Sequence, residues 1–145
     1  MNQVSVLFLC LHNSARSQMA EAYLKKFGGE KFHVESAGLE PGKLNPFAVE
    51  VMKEDDIDIS NNPANDVFEY FKQGKYFGYV ITVCDREASE RCPVFPGMSE
   101  KINWSFDDPS LFAGSDEEKL AKTREVRDGI KAAVLNFIEQ VSIRQ

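Results

Sequence analysis

An apolar run, Val4-Ser5-Val6-Leu7-Phe8-Leu9, ends in Cys10, and Arg16 then opens a stretch with helical spacing. The run is short and rich in β-branched and aromatic residues, the pattern of a strand buried on both faces. From Ser17 onward, Met19, Ala20, Tyr23, Leu24 and Phe27 recur at helical intervals, and Gly28-Gly29 supplies a stop. A strand therefore runs into a helix through one short loop. The loop amides and the first amides of the helix have no intrahelical acceptors and can converge on an anion. Leu11, His12, Asn13, Ser14 and Ala15 provide those amides, and Arg16 adds a planar, permanently charged guanidinium able to grip two oxygens. Cys-x5-Arg in this setting reads as a covalent site for a tetrahedral oxyanion.

The rest of the chain repeats the alternation. Phe32 to Gly38 reads as a second strand ending at a glycine turn, so strand, helix and strand form a right-handed parallel crossover. Asn45-Pro46 places a capping residue before a proline suited to a first helical turn, opening a helix through about Glu54. Asp66 to Lys72 forms a further short helix, and Tyr76 to Val83 is a strand that also ends in a cysteine, Cys84. Lys101 to Phe106 reads as a last, edge-like strand, Asp107-Asp108-Pro109 as a turn, and Asp116 to about Val141 as a long helix. Its stripe is Leu120, Val126, Ile130, Val134, Phe137 and Val141. The expected fold is α/β, an open and mainly parallel four-stranded sheet with helices on both faces. Ligands of such sheets bind beyond the carboxyl ends of the strands, where Cys10 and Cys84 both fall.

Composition narrows the functions. With 145 residues and 43% hydrophobic content, one domain spanning 1–145 is expected. No apolar stretch is long enough for a bilayer and no secretory signal pattern opens the chain, so a cytoplasmic protein without membrane contact is expected. A net charge of −6 argues against a nucleic-acid partner, and it requires anion binding to be a local affair. The oligomeric state is expected to be monomeric.

A cysteine attacks only as thiolate, and a free thiol ionises near pH ~8.5. Helix N-terminus, loop amides and Arg16 all favour the anion at Cys10, and Ser14 or Ser17 is suited to donate a hydroxyl hydrogen bond to sulfur. A lone cysteine ending a core strand is more often an inert small hydrophobe. The spacing to Arg16 decides for catalysis. A carboxyl group of Asp107-Asp108-Pro109 is suited to protonate a leaving oxygen if it reaches that loop. Cys84 and Cys92 lack the spacing and partner ligands of a zinc site, with only His12 and His33 elsewhere. Redox pair and buried bystanders both stay open for them.

Phe8 through Ala22, Glu35-Ser36-Ala37-Gly38, Val83-Cys84, Cys92-Pro93 and Trp104-Ser105-Phe106-Asp107-Asp108-Pro109 together resemble the low-molecular-weight tyrosine phosphatase superfamily. Within it the chain is most similar to thioredoxin-coupled arsenate reductases. The resemblance implies Cys10 as nucleophile toward arsenate, with phosphate or sulfate as competing oxyanions. It implies Arg16 and the loop from Leu11 to Arg16 as oxyanion site, Ser17 as support and Asp108 as acid. It further implies Cys84 as second thiol, Cys92 as resolving thiol and thioredoxin as reductant, with no cofactor. The family loop commonly has Gly where this chain has His12. Some relatives bind potassium through residues resembling Asn13, Glu21 and Ser36, but Pro63 and Asn65 stand where Thr and Asp would complete that set, so no metal is expected. The alternative is a tyrosine phosphatase using Cys10, Arg16 and Asp108 with the other thiols incidental. Against it, Pro109 is followed by Ser110-Leu111-Phe112 without paired tyrosines. A noncatalytic oxyanion-binding protein is a third reading, for which neither Cys10 nor Asp108 is needed.

Overall fold

The computed structural model describes residues 3–13, 15–83 and 100–144. Among these, four strands, β1 (Val4–Cys10), β2 (Phe32–Gly38), β3 (Tyr79–Thr82) and β4 (Glu100–Asn103), form one sheet in the order β2-β1-β3-β4. Every pairing is parallel. Four α-helices accompany them in the described residues: α1 (Arg16–Gly28), α2 (Pro46–Lys53), α3 (Val67–Lys72) and α4 (Asp116–Arg144). Val6 to Cys10 are buried without alternation, as expected of a strand in a parallel sheet covered on both sides.

Local chemistry sets the helix ends. Asn45 Oδ1 accepts hydrogen bonds from the N–H groups of Phe47 and Ala48, with Pro46 in the first turn of α2. Asp66 accepts from Phe68 N at the start of α3. Ser115 and Glu118 open α4 with reciprocal bonds, Glu118 N donating to Ser115 Oγ and the Ser115 hydroxyl to Glu118 Oε1. Gly29 terminates α1 at φ +63°, where its N–H bonds Lys25 O.

α4 crosses the sheet with Phe137 as its anchor. That ring meets Phe32 of β2 at 6.1 Å, Tyr79 of β3 at 5.1 Å and Trp104, just past β4, at 6.2 Å. The expected strands at Tyr76–Val83 and Lys101–Phe106 are both shorter in the structure. Gly78 is held by Ser5 Oγ before β3 begins, and β4 closes just before Trp104, whose N–H still reaches Thr82 O while its ring lies against Phe8. Phe27, expected on the apolar face of α1, is 39% exposed and stacks instead on Tyr23 at 5.9 Å.

A polar staple joins α1, α2 and α4. The fully buried Tyr23 donates its hydroxyl to Asp55 Oδ2 at 2.6 Å, and Arg127 donates to Val51 O and Glu54 Oε1. Burial, and then the Asp55 carboxylate, push the Tyr23 phenol well above its usual range. The Tyr23 hydrogen bond holds Asp55 below the ordinary carboxylate value, and the Arg124 hydrogen bond does the same for Glu54. A depressed folded value means that Asp55 contributes fully above about pH 4 and progressively less as pH falls through that value. Tyr23→Phe is expected to lose about 1 kcal/mol at neutral pH. Its deficit relative to wild type should narrow in acid, which urea unfolding at pH 7 and pH 3 will check.

Candidate active site

The last rung of the β1–β2 ladder sets Cys10 opposite Gly38. Beyond it the loop leans on the segment following β2. Leu39 N donates to Cys10 O, Glu40 N to Leu11 O at 2.8 Å and Gly42 N to His12 O at 3.0 Å. A trans peptide points its N–H opposite to the preceding carbonyl. With the carbonyls of Cys10, Leu11 and His12 drawn to one side, the amides of Leu11, His12 and Asn13 face the other. The Asn13 amide there reaches Cys10 Sγ at 3.1 Å. His12 fits this loop as more than a glycine substitute: its Nδ1 lies 2.9 Å from Glu40 O, and a carbonyl only accepts, so Nδ1 carries the hydrogen.

Asn13 is fully buried with φ +54°, a left-handed conformation that asparagine tolerates. Its Oδ1 accepts from Asn65 N at 2.9 Å, and its Nδ2 donates to Ser17 Oγ at 2.7 Å. Ser17 Oγ lies 2.9 Å from Cys10 Sγ. Of the two serines suited to support the sulfur, Ser17 is in place; Ser14 lies outside the described residues. When the sulfur is ionised it can only accept, so both the Ser17 hydroxyl and the Asn13 amide stabilise its negative charge.

α1 begins here without a side-chain cap, Ala15 being its N-cap residue, and its first turn contains no acidic residue. An anion at this end meets uncapped amides and the positive end of the helix dipole. Arg16, 6% exposed, donates through Nη1 to Phe106 O at 3.1 Å, and Nη2 lies 3.4 Å from Asp108 Oδ2. Of the adjacent aspartates, Asp107 is exposed and Asp108 faces the arginine. Ser110 fixes it, donating both N–H and hydroxyl to Asp108 Oδ1 and leaving Oδ2 toward Arg16. Cys84 and Cys92 lie outside the described residues.

The oxygens that relatives would offer to potassium are already engaged. Asn13 Oδ1 takes two N–H donors, from Asn65 and Gln18. Glu21 accepts from the Ser36 hydroxyl and from Lys25 Nζ, and Ser36 O accepts from Asn65 Nδ2. Asn13 Oδ1 thereby has both of its lone pairs met by donors. Three participants were assigned no role at the site from the sequence: Gln18, Asn65 and Ser110. Gly38 is recognisable there only as a turn, although its position in Ser36-Ala37-Gly38 at a strand end hints at a close approach. A Cβ on Gly38 would lie 2.8 Å from both Asn13 N and His12 C.

Residues 5–145 match the family described as low molecular weight phosphotyrosine protein phosphatase. The chain belongs to this family. Among curated relatives it is 42% identical to an arsenate reductase of Halalkalibacterium halodurans, over 96% of this chain and 98% of that one. A solved structure described as an arsenate reductase in the oxidized state superposes with a TM-score of 0.78 at 30% identity, covering 94% of this chain and 98% of that chain. The thioredoxin-dependent arsenate reductase of Corynebacterium glutamicum gives 0.77 at 26% identity, over 99% of this chain and 64% of that one.

The backbone atoms facing Gly38 cannot swing aside as a side chain would. Gly38→Ala is expected to weaken phosphate binding by about tenfold or more and to destabilise the protein by about 1–3 kcal/mol. Calorimetric titration with phosphate and urea unfolding will check both.

Proposed function

We propose that the protein reduces arsenate to arsenite through three cysteines, with thioredoxin as electron donor, in the cytoplasm and as a single-domain monomer. The observation that carries the oxyanion chemistry is the Cys10 sulfur within reach of two donors at an uncapped helix start. Reduction rather than hydrolysis is supported by arsenate reductases similar along nearly the whole chain, and by Cys84 and Cys92 in the sequence.

In this reading arsenate lies on the amides of the loop from Leu11 to Ala15 and on the Arg16 guanidinium. The Cys10 thiolate attacks arsenic, an arsenic–oxygen bond breaks, and Asp108 Oδ2 gives its proton to the departing oxygen, which leaves as water. The Cys84 thiolate then attacks Cys10 Sγ. The electron pair of the sulfur–arsenic bond passes to arsenic, which leaves as arsenite, and a Cys10–Cys84 disulfide remains. Cys92 attacks Cys84, releasing the Cys10 thiolate and forming a Cys84–Cys92 disulfide that a dithiol reductant reopens. The position of Asp108 suits its role: one oxygen is held by Ser110, and the other faces the arginine that binds the substrate.

The phosphatase family match favours one second reading, a phosphocysteine on Cys10 hydrolysed by water. The two readings separate cleanly. With thioredoxin, thioredoxin reductase and NADPH, arsenate is expected to drive NADPH oxidation, and Cys84→Ser to abolish it while phosphate binding persists. Mass spectrometry after one turnover without reductant should find the Cys84–Cys92 disulfide. Undiminished arsenate turnover in Cys84→Ser, or fast aryl phosphate hydrolysis with negligible arsenate turnover, would sink the reductase.

A further inference from the structure

Gln18 is 1% exposed, sits in the first turn of α1 and has no part in the chemistry above. Its Nε2 faces three oxygens: Pro63 O at 2.9 Å, Asn13 O at 3.2 Å and Asn13 Oδ1 at 3.3 Å. Its Oε1 accepts from Asn62 Nδ2 at 3.2 Å, so both ends of the carboxamide are matched to their partners. Asn65 works from the same segment. Its own carboxamide donates to Ser36 O, its carbonyl accepts from Gly38 N, and its N–H is thereby aimed at Asn13 Oδ1.

These bonds set a direction. A backbone N–H can only donate, so the atom of Asn13 facing Asn65 must be the oxygen, and the NH₂ must face Ser17. Ser17 Oγ then receives a hydrogen from Asn13 and has no reason to offer its own in return. Its single hydroxyl hydrogen is free for Cys10 Sγ, and donation into Oγ makes that hydroxyl a better donor. Were the Asn13 carboxamide turned over, its oxygen would compete with the sulfur for this hydrogen.

We propose that Gln18 and Asn65 are positioning residues for Cys10, which lock the Asn13 side chain in the orientation that commits the Ser17 hydroxyl to the sulfur. The proposal rests on Cys10 being the nucleophile but not on arsenate being its substrate. Charged groups near the loop leave this chain of bonds alone: Arg16 of α1 bonds Phe106 O and Asp108 of the acid turn, Glu21 is taken by Ser36 and Lys25, and the His12 ring bonds Glu40 O.

The test reads thiol reactivity in the free enzyme. The rate of iodoacetamide alkylation at Cys10 is followed across pH by mass spectrometry of its peptide, in wild type, Ser17→Ala, Gln18→Met and the double variant. Gln18→Met is expected to slow alkylation several-fold at neutral pH and to move the profile to higher pH, in the same direction as Ser17→Ala. In the Ser17→Ala background Gln18→Met should add nothing, because its effect passes through the missing hydroxyl. An additive effect in the double variant, or an unmoved profile in Gln18→Met, overturns the proposal. Should Gln18→Met fail to fold by circular dichroism, Asn65→Ala takes its place in the same cycle, and additivity or an unmoved profile again overturns the proposal. Since no arsenate is present, a failed cycle and a failed arsenate assay remain separate results.

Discussion

The site depends on the closeness of two backbones at the last rung of the β1–β2 ladder. Gly38 has no side chain, and the loop after Cys10 lies directly against its bare α-carbon. That approach lets Leu39, Glu40 and Gly42 take the loop carbonyls, and the planar peptide then turns the amides the other way. Thiol position, amide direction and the start of α1 thus follow from one pair of residues. The side chains packed around this loop are fully matched: among the described residues no buried side-chain nitrogen or oxygen lacks a hydrogen-bond partner.

Electrostatics works at the same short range. The protein carries a net charge of −6, yet two carboxylates near the loop are engaged, Asp108 by Arg16 and Ser110, Glu21 by Ser36 and Lys25. What remains for an incoming oxyanion is an uncapped helix start, a nearly buried guanidinium and a set of oriented amides. These are low-dielectric, preorganised donors, and they outweigh distant charges that solvent and salt screen.

Patterns local in sequence were legible. β2 occupies the expected Phe32–Gly38, and the Asn45-Pro46 cap and the Gly28-Gly29 stop stand where turn and cap chemistry put them. The spacing from Cys10 to Arg16 marked the loop, whereas the turn Asp107-Asp108-Pro109 did not itself choose between its aspartates; the resemblance to the family named Asp108, which in the structure meets the arginine. Phe27 defeated the pattern because helical periodicity identifies a face and not where the covering layer ends. The roles of Gln18, Asn65 and Ser110 were hidden for a different reason. Each acts through hydrogen bonds, and for Gln18 and Asn65 these join segments remote in sequence, for which a single chain carries no periodic signal.

Hydrolysis and reduction share everything at this loop, so its geometry cannot by itself select between them. An aryl phosphate and arsenate offer similar tetrahedral oxygens to the same amides, and in both readings the first covalent step would join Cys10 sulfur to the central atom. The difference arises afterwards. Phosphorus keeps its oxidation state and waits for water, whereas arsenic accepts the electron pair of its bond to sulfur when a second thiol attacks that sulfur. Selection therefore lies in whether a thiol or a water arrives. Val83 donates its N–H to Leu9 O at 2.8 Å, so β3 ends beside β1 at the rim that holds Cys10, and Cys84 is the next residue in the chain. β1 is thus paired on one side with β2, which shapes the loop, and on the other with β3, whose last residue, Thr82, is followed in the sequence by Val83 and then Cys84. A thiol delivered from that segment is what the reductase reading requires and the phosphatase reading does not.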